Sequence, residues 1–90
     1  MTLPGRYADV DAILVRFEGT ETLCFEGAKA LAPGTPVVVR TQREDGSELA
    51  IEGRALGSRK PAADAPRFEI KARIINLSKT DREWLTKTLP

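Results

Sequence analysis

Cys24 and two acidic pairs, Asp9/Asp11 and Glu44/Asp45, are the side chains whose type and spacing could do chemistry in this 90-residue chain. A thiol acts as nucleophile or metal ligand as its thiolate, which needs a neighbouring base or cation. The chain has no histidine, and Cys24 stands in the apolar run TLCFEG, residues 22–27. Its expected role is therefore that of a small buried hydrophobe. Asp9 and Asp11, two apart on a strand, share one face and read as solvent-facing. Glu44 and Asp45 fall in a hairpin loop. Neither pair brings the further oxygen ligands a metal requires. No GxxxxGK or GxGxxG string is present to cradle a phosphate. These residues predict a protein that is not an enzyme and that holds neither metal nor cofactor.

The elements that must position these residues are mostly strands. Residues 1–7 read as a flexible arm. From Ala8, Val10, Ala12 and Leu14 alternate with Asp9, Asp11 and Ile13, a strand pattern. Glu18-Gly19-Thr20 signals a turn, and Glu21 to Phe25 returns as a strand closed by Gly27, where glycine would accept the positive φ of a turn or bulge. Pro33-Gly34 launches the strand TPVVVRT, and Asp45-Gly46 marks the clearest hairpin, followed by a strand from Glu48 to Leu56. Residues 57–66 form a polar loop. In RFEIKARI, Phe68, Ile70, Ala72 and Ile74 face one side and Arg67, Glu69, Lys71 and Arg73 the other. Ile75 and Leu77 break that phase, which predicts a bulge or a change of burial near Ile74. A helix over 80–89 is predicted last, with Thr80 as N-cap, Glu83 completing a capping box, and Trp84, Leu85 and Leu89 on its apolar side. Hairpin-sized gaps make the expected fold class all-β: a small antiparallel six-stranded β-barrel with one short C-terminal helix, forming a single domain over 1–90.

Fourteen basic residues nearly balance thirteen acidic ones, for a net charge of +1. That balance argues against a dedicated nucleic-acid or anionic-membrane binder, though a small anionic ligand needs only one or two arginines. A lone cysteine forms no internal disulfide, no signal pattern opens the chain, and no apolar run approaches a membrane span. The expected location is the cytoplasm, and whether the chain is monomer or dimer stays open.

Read end to end, the chain resembles a PilZ domain, a bacterial β-barrel family whose better-known members sense cyclic di-GMP. TLCFEG stands where that family has Asp/Asn-x-Ser-x-x-Gly. ALAPGTPVVV looks like its next turn and strand, IEGRAL like its glycine-containing middle strand, and RFEIKARIINLSKTDREWLTKTL like its closing strand and helix. The likeness covers residues 6 to 89 and rests on the order and spacing of these segments.

The resemblance implies a ligand turn at Thr22, Cys24 and Gly27, with Arg6 as the remaining cation of an Arg-x-x-x-Arg arm. Only the glycine of the turn matches, and Thr2 stands where the second arginine would be. Lys71 and Ile74 also replace a usual glycine and phenylalanine. Losing one charge-assisted contact of about 1.5–3 kcal/mol weakens binding about ten- to a hundredfold or more. The implied function is a bacterial signalling or motility adaptor, with cyclic di-GMP binding weakened or lost, that contacts another protein; Trp84 is the candidate anchor. A working cyclic di-GMP receptor using Arg6 and the Thr22–Gly27 turn, and a small nucleic-acid-binding barrel, are the alternatives.

Overall fold

The computed structural model describes residues 2–90 and shows a closed six-stranded antiparallel barrel followed by one helix. The strands are β1 (Leu3–Tyr7), β2 (Val10–Glu18), β3 (Thr22–Gly27), β4 (Pro36–Gln42), β5 (Glu48–Arg59) and β6 (Phe68–Ile74), and α1 spans Lys79–Thr88. Around the barrel the order is β1-β2-β3-β6-β5-β4, so two three-stranded meanders meet at β3–β6 and at β1–β4. Among the described residues, no helix is long and apolar enough to cross a membrane.

The period-2 pattern decides which side of each strand faces in. Leu14, Leu23, Phe25, Val39, Ile51, Ile70 and Ala72 lie in the core with almost no exposure. Each large side chain among them adds about 1.5–3 kcal/mol relative to leaving it in water. Phe68 is only half-buried, but Ile70, Ala72 and Ile74 point inward as their alternation predicts. Thr41, the one buried polar residue among the described residues, donates its hydroxyl to the Pro4 carbonyl at 2.8 Å.

Residues 3–7, expected as a loose arm, are strand β1. Its five residues include Pro4 and Gly5 and carry little strand propensity, so its order comes from its neighbours. It pairs with β2 along its whole length and with β4 at Gly5↔Thr41 and Arg6↔Arg40, burying Leu3 and Tyr7. Met1, the start of that arm, lies outside the described residues.

Near Ile74 the change of burial occurs and not the bulge; β6 stays regular and ends there. Two bulges occur elsewhere, at Val15 in β2 and at Leu56 in β5. The second lets β5 run on to Arg59 through residues expected as loop, and Gly57 there takes φ 150°. Ile75 is instead exposed beyond the strand end, before Asn76 turns the chain at φ 58°.

The two barrel ends are closed differently. The crossing segment between β3 and β4 plugs one end with Leu31, whose backbone N–H donates to Ser58 Oγ at 3.1 Å while that hydroxyl donates to the Leu31 carbonyl at 3.0 Å. At the other end α1 buries Leu85 and Leu89, and the Phe17 N–H donates to the Pro90 carbonyl. Ser78, not Thr80, caps the helix: its Oγ accepts from the Asp81 N–H at 3.2 Å. Both residues have capping chemistry; the turn at Asn76 brings Ser78 to the extended geometry a cap needs.

Candidate functional site

Strand β3 holds three of the four expected ligand residues, but its pleat divides them. Leu23, Phe25 and Gly27 face the barrel interior, while Thr22, Cys24 and Glu26 face outward. Gly27 does not have positive φ. It is required because the Tyr7 ring passes directly over it: a Cβ at position 27 would stand 2.7 Å from Tyr7 Cζ and closer still to Cε1 and the hydroxyl oxygen. The glycine thus serves packing across the core rather than turn geometry.

Arg6 projects from the outer face of β1, two strands across from β3. Its guanidinium donates to Asp11 Oδ1 at 2.7 Å and to the Asp9 carbonyl at 2.9 Å. It helps fasten the β1–β2 turn, where Ala8 and Asp9 both have positive φ. Arg6 lines two concavities on the β1–β4 side of the barrel, and Cys24 lines a third one elsewhere. Arg6 and the β3 residues thus sit on separate parts of the barrel surface.

What surrounds Cys24 instead is a trough of about 520 Å3 on the outer face of β2, β3, β6 and β5. The bulges at Val15 and Leu56 stand on its two walls, one on each flanking strand. A bulge bends and twists its strand, which gives this face its concavity. Cys24, although outward-facing, is 6% exposed. Its Sγ donates to Glu18 Oε1 at 3.0 Å, and Lys71 Nζ reaches the same oxygen at 3.2 Å. Burial first, then the Glu18 hydrogen bond and charge, push the thiol above its ordinary range. The thiol bond and then Lys71 hold the Glu18 carboxyl below its own. A neutral thiol that donates to a carboxylate is the reverse of an activated nucleophile.

Three cations line the trough: Arg16 and Lys71 beside Cys24 in register, and Arg59, which pairs with Glu69 at 3.2 Å. Arg16 makes no ion pair among the described residues. Thr22 sits at the next outward position along β3, half-buried between Glu18 and Arg73. Sequence reasoning missed Val15 and Leu56 as parts of this surface. Gly57 after Leu56 was the one signal available, since an isolated glycine in a strand pattern marks a bulge.

Trp84 is half-buried against the core edge on α1, and its carbonyl accepts from Thr88 Oγ1 at 2.6 Å. It is neither the buried lid, a role that Leu85 and Leu89 fill, nor a freely exposed anchor. Comparisons of the chain with protein-family models, with curated proteins and with solved structures find no match.

Proposed function

We propose that this barrel is a PilZ-like adaptor of a bacterial signalling or motility system, acting through contact with another protein and with cyclic di-GMP binding weakened or lost. One observation carries the reading: the groups that would grip the nucleotide are engaged elsewhere. Arg6 is held by Asp11 and the Asp9 carbonyl, Cys24 is buried on Glu18, and Gly27 lies under Tyr7. A ligand would have to break these contacts before making its own, which lowers its affinity by their worth. The trough, with Leu56 53% exposed on its rim, offers a partner protein both an apolar contact and charge.

Calorimetric titration of the purified domain with cyclic di-GMP at moderate salt tests the reading. No heat up to millimolar ligand is the expected result. Saturable binding in the micromolar range would replace the adaptor by a receptor. That second reading is favoured by Arg16, Lys71 and Arg59 around the trough, and it places the dependence on Arg16→Ala rather than on Arg6→Ala.

A further inference from the structure

We propose that the outer face spanning β2, β3, β6 and β5 docks an extended segment of a partner protein in which acidic and apolar side chains alternate. This rests on the adaptor reading and names the chemistry of the partner.

The barrel's register aligns two adjacent rows of side chains across this face. One runs Arg16, Cys24, Lys71, Gly57; the next runs Glu18, Thr22, Arg73, Arg54. Arg54 and Arg73 are a direct cross-strand pair, an arrangement in which like charges repel. Arg73 has only a long contact of 3.7 Å to the exposed Glu21, and Arg54 donates to the Gly34 carbonyl rather than to a carboxylate. Lys71 shares Glu18 with the Cys24 thiol. Arg16 and Arg54 thus stand at opposite sides of the face without an acidic partner among the described residues, in a chain whose overall charge is only +1.

Apolar surface lies within the same frame. Leu56 has the greatest exposure of the large hydrophobic residues among those described, and its bulge lifts it on the β5 wall opposite Val15 on β2. Four strands at their usual spacing put these walls about 14 Å apart, the span of about four residues of extended chain. An occupant lying in the trough and reaching over its edge would set carboxylates against Arg16, which lines it, and Arg54, in the row beside it, and an apolar side chain against Leu56. All four strands here are paired on both sides, so recognition falls to side chains rather than to an added strand. A single-stranded nucleic acid fits less well: Phe17 and Phe25 are buried, and Phe68, half-buried at the start of β6, has the Lys60 ammonium 5.2 Å from its ring, so no open aromatic platform is offered to a run of bases. The two carboxylates of the trough, Glu26 and Glu69, are already engaged by Arg67 and Arg59.

Selection of a random dodecapeptide phage library on the immobilised 90-residue protein tests this. The expected outcome is a consensus with Asp or Glu next to Leu, Ile or Phe. A synthetic peptide of that consensus should bind about tenfold more weakly to Arg16→Ala and to Leu56→Ser, and equally well to Arg40→Ala on the far side of the barrel. Both test residues are exposed, and unchanged melting temperatures would establish that the variants fold. Basic or charge-free consensus sequences, peptides indifferent to Arg16 and Leu56, or failure to select any peptide would each overturn the proposal. So would tighter retention of single-stranded RNA than of the peptides. If these results came with no heat from cyclic di-GMP, the adaptor reading would stand with its contact elsewhere; nucleotide binding would remove that reading itself.

Discussion

Tyr7 fills the space that a side chain at position 27 would need, and it does so from a strand twenty residues away in sequence. Its ring meets Phe25 edge-on at 5.0 Å between centroids, and its hydroxyl donates to the Lys29 carbonyl at 2.6 Å and accepts from the Lys29 N–H at 3.0 Å. One aromatic thus joins β1, β3 and the crossing segment. Gly27→Ala should destabilise the barrel by about 1–3 kcal/mol through overpacking. Urea denaturation measures it, and Tyr7→Leu in the same chain should recover part of the loss. An unchanged midpoint for Gly27→Ala would mean the ring moves aside freely.

Cys24 should resist alkylation at neutral pH, because burial and Glu18 both hold its proton. Glu18→Gln removes the charge while keeping an acceptor, so the rate of iodoacetamide labelling should rise and its pH profile move toward lower pH. The linkage has a definite sign. A thiol whose native value lies above its unfolded one favours folding below the ordinary value of 9.0 and loses that contribution as pH rises through the native value. The stability of the natural chain should therefore fall more steeply above pH 9 than that of Cys24→Ala.

Arg43 Nη2 donates to Asp81 Oδ1 at 2.7 Å, tying the β4–β5 turn to the first turn of α1 in a partly buried pair. The Arg43 bond, opposed by some burial, holds the Asp81 carboxyl below its ordinary 3.8. Its stabilisation is present above that value and is lost as pH falls through the lower native one. Arg43→Ala should cost about 0.5–1 kcal/mol at pH 7, the scale of a screened pair, and progressively less toward acid pH, where the Arg43 bonds to Ser47 Oγ and the Glu48 carbonyl are what remains. Thermal melts of both proteins across that range are the check; a constant difference would assign the loss to packing.

Thr20, a β-branched residue, sits at φ 59° in the β2–β3 turn, beside Gly19 at φ 57°. A left-handed backbone costs a non-glycine residue about 1–2 kcal/mol. Arg82 of α1 donates to the Thr20 carbonyl, so the helix holds the turn in this form. Thr20→Gly should raise stability by about 1 kcal/mol, which corresponds to about 4–8 °C in melting temperature. A lower melting temperature would mean the threonine side chain contributes more than its backbone costs.

Ser78→Ala should lose about 1 kcal/mol by removing the helix cap, whereas Thr80→Ala should change stability by only a few tenths. Far-ultraviolet circular dichroism during urea unfolding compares the two. Equal losses would restore the cap at Thr80 that its spacing from Glu83 suggests.

Some parts of the site were open to reading in the linear chain and others were not. The outward setting of Lys71 and Arg73 followed from the alternation in β6, and the Asp45-Gly46 turn from its dipeptide. The trough did not. It depends on which strands lie beside β3, and on two bulges, of which Val15 sits unmarked in an apolar run and Leu56 is flagged only by the glycine after it. Arg16 and Lys71 are fifty-five residues apart in the chain and share a row only because β2, β3 and β6 are neighbours.

The amino-acid pattern alone determined an antiparallel β architecture with a C-terminal helix, because period-2 burial and turn dipeptides are local properties that each segment carries with it. It also determined that no histidine-based chemistry is available. Only the closed barrel decided that residues 3–7 form a strand, that Gly27 answers to Tyr7 rather than to a turn, that Arg6 is spent on Asp11, and that Cys24 lies buried on the outside. Each of these is set by a partner remote in sequence. Closure brings those partners together, and no local propensity encodes it.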